Sequence, residues 1–259
     1  MFNLNLYKEK LTTDIYGKSI EYYPKLDSTN TKARELIYKK IKNGTVVITD
    51  NQTEGRGRQS NKWISIPQKS LTFSIILFPE ALPNQINIYS LIAGLAISDC
   101  LIEYDIPTQL KWPNDILINN KKVGGILCES KISRGAVKSL VIGVGLNVNE
   151  TIGEFPKDLC KIVTSLMIEM GEQYSKEILL AKIINYFEKR INQIDDLDLH
   201  FMDWENRCVH INKTISFFDG INYFQGTFKG LSSTGQATIT IDDRDFKFDS
   251  GETSQIDFK

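Results

Sequence analysis

The sequence predicts an α+β chain, with a mixed α/β domain at residues 1–206 and a small all-β domain at 207–259. Two observations carry this. Strand-like apolar runs alternate with helical patterns through the first part, the longest being Ile86 to Tyr104. From Ile211 onward the chain turns into short alternating strands punctuated by Gly220, Gly226, Gly230, Gly235 and Gly251, the pattern of a small β-barrel.

In order along the chain, Asp27-Ser28-Thr29-Asn30 offers N-cap residues to a helix over Thr31 to Lys42. Thr45 to Thr49 is a β-branched strand, and Leu71 to Phe78 is a second one that ends at Pro79. Ile86 to Tyr104 is rich in alanine, leucine and isoleucine with few charges, so it reads as a largely buried helix. Gln109 to Trp112 and Ile116 to Ile118 flank Pro113-Asn114-Asp115. Asn119-Asn120-Lys121-Lys122 makes a hairpin turn, since asparagine tolerates positive φ, and it leads into strand-like Val123 to Glu129. Ser139 to Val148 is a further apolar run, and Ser175 to Gln193 reads as an amphipathic helix. Four short strands follow: Thr214 to Phe218, Tyr223 to Phe228, Ala237 to Ile241 and Asp245 to Phe248.

Composition narrows the function classes. The chain has 259 residues, enough for a sizeable core. Its 31 basic and 32 acidic residues leave a net charge of −1, which argues against a general nucleic-acid binder. No apolar run reaches about 18 residues, so no membrane span is expected. Cys100, Cys128, Cys160 and Cys208 are far apart, with no CxxC pair. Cys100 and Cys128 lie in apolar runs and read as buried thiols of a cytoplasmic protein. His200 and His210 lack acidic or cysteine company at ligand spacing, so they read as structural or surface groups and no metal site is expected.

The densest chemistry is Gln52-Thr53-Glu54-Gly55-Arg56-Gly57-Arg58-Gln59-Ser60-Asn61-Lys62-Trp63. Glycines let the backbone come close to a ligand, and successive N–H groups can cradle an anion. Arginine adds a fork of donors suited to phosphate or carboxylate, and Trp63 can pack over a flat ring. The loop suits an anionic ligand with a planar part, or else it is a surface turn with solvated arginines. In Lys111-Trp112-Pro113-Asn114-Asp115 the proline interrupts strand pairing. Asp115 is then a general base, a magnesium partner or an orienting acceptor, or Asn114-Asp115 simply makes a turn. Lys122, just before Gly124-Gly125, presents an ammonium beside close-approaching backbone, or it is a surface hairpin lysine. Ser28-Thr29-Asn30 caps a helix and can also offer polar groups to a ligand. Gly143 to Asn149 leaves room beside a strand end, but Val148 stands where a dinucleotide fingerprint needs its third glycine.

Taken together, these segments resemble the biotin–protein ligase family over nearly the whole chain. The matching residues are Ser28-Thr29-Asn30, Gln52, Gly55-Arg56-Gly57-Arg58 with Trp63, and Lys111 to Asp115. They continue with Lys122 and Gly124 to Leu127, Gly143 to Asn147, Val163-Thr164-Ser165-Leu166 and Gly251-Glu252. The resemblance implies a mixed-sheet catalytic domain with helices on one side, like that of class II aminoacyl-tRNA synthetases, and an SH3-like C-terminal barrel. It implies biotin activation by ATP and Mg2+ to biotinyl-5'-AMP. Biotin then passes to a lysine of a biotin carboxyl carrier protein or domain of a biotin-dependent carboxylase. It assigns Ser28, Thr29, Asn30, Gln52, Gly55, Arg56, Gly57, Arg58, Lys122 and Gly125 to biotin. Arg58, Trp63, Asn114, Asp115, Lys122 and Asn147 go to ATP, and Arg58, Lys122 and Asp115 to catalysis, with Mg2+ held mainly by phosphates. The expected state is monomer or homodimer. A lipoate ligase and a non-catalytic biotin sensor are the alternatives. The loop departs from many members at Gln59-Ser60-Asn61, where they carry Arg-Gly-Arg or similar.

Some members place a DNA-binding winged helix ahead of the catalytic domain, and the 27 residues before Ser28 are too few for one. No operator binding is therefore expected. In a gel-shift titration any DNA retention should be weak, lost as salt rises, and indifferent to sequence. Sequence-specific retention at physiological salt, strengthened by biotin and ATP, would contradict this.

Overall fold

The computed structural model describes residues 1–218, 220–249 and 251–255, and the side chains of Ser60, Glu252, Ser254 and Gln255 lie outside the described part. The helices are α1 (Leu4–Lys10), α2 (Thr29–Ile37), α3 (Ile86–Ile102), α4 (Leu166–Met170), α5 (Lys176–Ile191) and α6 (Leu197–Asn206). The strands of the first unit are β1 (Ile20–Tyr23), β2 (Val46–Thr49), β3 (Leu71–Leu77), β4 (Gln109–Lys111), β5 (Asp115–Ile118), β6 (Lys121–Ser133) and β7 (Ala136–Leu146). The second unit has β8 (Thr214–Phe218), β9 (Tyr223–Leu231), β10 (Ala237–Ile241), β11 (Arg244–Phe248) and β12 (Glu252–Gln255).

The first seven strands form one mixed sheet in the order β1-β2-β3-β7-β6-β5-β4. Its only parallel pair is β1 with β2, and the other neighbours run antiparallel. All seven residues of β3 are buried, because both sheet faces are covered. On one face Phe73, Ile75, Ile142 and Val144 join the core that contains α3 and α5. On the other, Val47, Ile76 and Val141 pack against Ala33 and Leu36 of the short α2. The long helices therefore share one side, and α2 flanks what becomes the functional side.

Helix α3 has 12 of its 17 residues buried, as its even apolar composition predicts. With the turn before it, Pro83–Ile102 is 20 residues long and apolar enough to cross a membrane by length and composition, with 67% of the apolar window buried inside the protein. By length and composition this helix exceeds the expectation of no apolar run of that length, and its burial marks it as a core helix. Serines cap three helices: Ser28 on α2 and Ser175 on α5, where the sequence placed helix starts, and Ser165 on α4. The β5–β6 turn uses Asn119 at φ 50° and Asn120 at φ 61°. The sequence reading passed over α1, β1, α4, α6 and β12, which are short or weakly patterned. Both histidines are buried, at 1% exposure for His200 and 2% for His210.

The chain leaving α6 pairs with the outer edge of β4. Leu110 N–H donates to the Arg207 carbonyl at 2.8 Å, and Val209 N–H donates to the Leu110 carbonyl at 3.0 Å. The last five strands then form an antiparallel sheet in the order β11-β10-β9-β8-β12. Trp112 and Phe217 meet with ring centroids 6.1 Å apart, and buried residues of both units form one continuous core.

An ion cluster pins this junction. Asp99 on α3 accepts two hydrogen bonds from Arg190 of α5, at 2.7 and 3.0 Å, and Arg207 lies 2.8 Å from the same carboxylate. Burial alone would raise the Asp99 carboxyl, but Arg190 and Arg207 outweigh it and hold it below the usual range. Its stabilisation is therefore present above the unfolded-chain value near pH 4 and drains as pH falls through the lower folded value. Asp99→Ala leaves two partly buried guanidinium groups without this partner and should cost roughly 3 kcal/mol. Urea unfolding checks this. Asp99→Asn should also show a shallower stability loss than the parent below about pH 4.

Candidate active site

A cavity of about 300 Å³ opens on the α2 side of the large sheet. Ser28, Thr29, Asn30, Gln52, Arg56, Gly57, Arg58, Trp63, Asn114, Asp115, Lys122 and Gly125 all line it, so the fold brings together nearly every residue singled out from the sequence. Gly55 and Asn147 lie just outside the wall. Gly55 shapes the loop, accepting the Trp63 N–H at 3.0 Å, and a Cβ there would meet the Trp63 carbonyl.

One half of the cavity is built on the N-terminus of α2. Ser28 Oγ accepts the Thr31 N–H at 3.5 Å, so it caps the helix while facing the cavity. Gln52 Oε1 accepts the Thr29 N–H at 2.9 Å and the Thr29 hydroxyl at 3.3 Å. Ser74 Oγ lies 2.8 Å from Thr29 Oγ1 and 2.6 Å from Asn30 Oδ1. Asn30 Nδ2 donates to Glu129 at 2.8 Å and to the Leu127 carbonyl at 3.2 Å. Glu129 also pairs with Arg56 at 3.0 Å and Arg34 at 3.4 Å. Ser74 and Glu129 were passed over in the sequence, because one reads as strand filler and the other as a strand-end charge.

The arginine loop folds on itself as a small hairpin. Gly57 N–H donates to the Asn61 carbonyl at 2.7 Å, and Asn61 N–H donates to the Arg58 carbonyl at 2.9 Å. Gln59, at the divergent position, takes a left-handed conformation with φ 49°. The loop ends by laying the Trp63 indole on the sheet, where Gly145 has no side chain to block it. Asn30 uses the same kind of space at Gly143.

The other half centres on Lys122 and Asp115, whose Nζ and Oδ1 are 2.5 Å apart. The Lys122 ammonium also sits 5.8 Å from the Trp63 ring centroid. Asn114 is structural as well as cavity-lining: its Nδ2 donates to the Ile126 carbonyl at 2.6 Å and its carbonyl accepts the Ile126 N–H at 3.0 Å. Asn147 Nδ2 donates to the Thr164 carbonyl at 2.9 Å. Its Oδ1 and the Trp63 Nε1 are buried with no hydrogen-bond partner among the described residues. An orphaned acceptor and donor beside a cavity suit a polar planar ligand.

Among the described residues five cationic side chains line the cavity (Arg56, Arg58, Lys62, Lys111 and Lys122) against one carboxylate, that of Asp115. That balance fits an anionic ligand. No group of three or more His, Cys, Asp or Glu residues able to hold a metal occurs among the described residues. The β-barrel adds Gly251 and Thr253 to the wall. A smaller cavity of about 140 Å³ adjoins this one, between Arg58, α3 and Asp249.

The model of the Biotin/lipoate A/B protein ligase family matches residues 22–147. The bifunctional ligase/repressor BirA of Bacillus subtilis is 39% identical over 181 residues, covering 70% of this chain and 56% of that protein. The chain thus spans little more than half of that relative. Biotin–protein ligase 2 of Arabidopsis thaliana is 30% identical over 258 residues, covering 93% of this chain and 75% of that one. Among solved structures, the Aquifex aeolicus biotin protein ligase in complex with biotin and ATP superposes with a TM-score of 0.79 at 29% identity, over 92% of this chain and 98% of that chain. With fold and relatives in agreement, the chain belongs to the biotin–protein ligase family.

Gly145 offers a direct test of how the site is assembled. A Cβ there runs into the Trp63 indole. Gly145→Ala should lift Trp63 off the sheet and red-shift tryptophan emission, and the shift should vanish in a Trp63→Phe background. An unchanged spectrum would show that Trp63 does not rest on Gly145.

Proposed function

We propose that this protein is a biotin–protein ligase. It activates biotin with ATP to biotinyl-5'-AMP and transfers the biotinyl group to a lysine of a biotin carboxyl carrier domain. The observation that carries this reading is the Lys122–Asp115 pair beside Trp63, in a cavity rich in cations. The matched family includes lipoate ligases, so the acid itself is part of the proposal.

In the first step a biotin carboxylate oxygen bonds to the α-phosphorus of ATP, and the bond to pyrophosphate breaks. Two anions must meet, so cations between them lower the barrier. Arg58 and Lys122 have that role here. Ser28, Thr29, Asn30 and Gln52 take the polar ring of biotin, while Arg56, Gly57 and Gly125 border its chain. Trp63, Asn114 and Asn147 face the nucleotide. Mg2+ would be held mainly by the ATP phosphates and would neutralise their charge. The glycine-rich loop covers the acyl-adenylate and keeps water from the mixed anhydride.

In the second step the carrier amine attacks the acyl carbon, the bond to the adenylate oxygen breaks, and AMP leaves. A lysine with pKa near 10.4 is mostly protonated at neutral pH, so its proton needs an acceptor. In this reading Asp115 accepts it, and Lys122 stabilises the charge developing on the adenylate. The catalytic unit is residues 1–206 and the second domain 207–259, of which Gly251 and Thr253 line one side of the cavity.

Incubation with biotin, magnesium ATP and a carrier domain should add one biotinyl mass to the carrier and release AMP. Lys122→Ala should slow biotin-dependent pyrophosphate exchange by roughly two to four orders of magnitude. Lys122→Arg should recover little, since a planar fork does not replace a compact ammonium. Exchange supported by lipoate and not biotin would reassign the substrate, and tight biotin retention with neither exchange nor transfer would mark a sensor.

A further inference from the structure

The C-terminal barrel makes one side-chain hydrogen bond to the Lys111 to Asp115 segment, beside the packing of Phe217 on Trp112. Thr253 of β12 is 6% exposed and lines the main cavity. Its Oγ1 donates to the Trp112 carbonyl at 3.0 Å, and the same oxygen lies 3.0 Å from His210 Nε2. A threonine hydroxyl has one proton, and a carbonyl can only accept. Both contacts are satisfied only if the Thr253 proton goes to Trp112 and His210 Nε2–H donates to Thr253. The other ring nitrogen, Nδ1, is then bare, and it is buried with no partner among the described residues.

We propose that His210 and Thr253 are positioning residues that hold the Trp112–Asp115 segment, and through it the Asp115–Lys122 pair, in register for the nucleotide half-reaction. The proposal rests on the ligase reading. The segment is anchored from two sides. Asn114 ties it to β6 through both hydrogen bonds to Ile126, and Thr253 ties Trp112 to the barrel. Asp115 follows directly and meets Lys122 at 2.5 Å. The Trp112 ring, against Phe217, gives the barrel anchor an apolar backing.

The relay keeps one hydrogen-bond direction at neutral pH. Burial, with Lys111 and Lys213 adding to it, pushes the His210 imidazole down to about 4. The ring is therefore neutral, and its Nε2 hydrogen stays available to Thr253. Cys208 accepts the His210 backbone N–H at 3.4 Å and fixes the turn that carries the ring.

Thr253→Val removes the hydroxyl at nearly constant volume, and Thr253→Ser keeps it. In biotin-dependent pyrophosphate exchange, Thr253→Val should raise the KM for ATP about tenfold while the KM for biotin stays within about twofold, and Thr253→Ser should restore the parent values. Hydrogen exchange of the backbone amides of residues 114–116 should speed up in the valine variant alone, and by more than that of the rest of the sheet. Parent-like ATP KM and parent-like exchange in Thr253→Val would overturn the relay. A fall in melting temperature with equal changes in both KM values would also overturn it, since that marks a merely structural contact. If the parent itself shows no biotin-dependent exchange, the ligase reading fails, and amide exchange in the two variants still decides the relay.

Discussion

The site depends on space left by missing side chains on two paired strands. Gly143 and Gly145 of β7 lie beside β6, with Gly145 directly opposite Gly125. Their empty positions form a floor on which Asn30 and the Trp63 indole rest. Any β-carbon there would lift one of those groups and with it one end of the cavity. The rest of the site follows from this floor. Asn30 arrives on the first turn of α2 and carries Ser28 and Thr29 with it, and Trp63 pulls in the arginine loop.

Over this floor, charges are set against one another. Arg56 is paired with Glu129, and Lys122 with Asp115. Two of the cavity's cations are thus held by carboxylates at its edges, in fixed positions. Preorganised charge of this kind needs little rearrangement when an anion binds, which is where electrostatic stabilisation is most effective. Cations spread along a single cavity also suit a ligand with more than one anionic centre, such as a carboxylic acid beside a triphosphate.

The barrel is part of this arrangement. The chain between α6 and β8 pairs with β4, so the edge of the large sheet is covered and the barrel lies beside the segment that follows that strand. Asp99, Arg190 and Arg207 clamp the same junction from the helical side. Thr253 and Gly251 thereby become cavity wall although they are more than a hundred residues from the segment they face.

Much of this was legible in the chain itself. Apolar periodicity located α3 and α5, β-branched runs located β2, β3 and β7, and glycine spacing marked the change to the barrel, because these signals are local and repeat within a few residues. The arginine loop, Lys111 to Asp115 and Lys122 stood out because glycine, proline and charge are rarely clustered without purpose in regular elements. What no local pattern contains is pairing between distant segments. That Glu129 holds Arg56, that Ser74 braces Thr29 and Asn30, that Trp63 lies on Gly145, and that His210 reaches Trp112 through Thr253 were decided only by the tertiary structure. Each is a contact between single side chains far apart in sequence, and such contacts leave no period or composition to read until the sheet brings them within hydrogen-bonding distance.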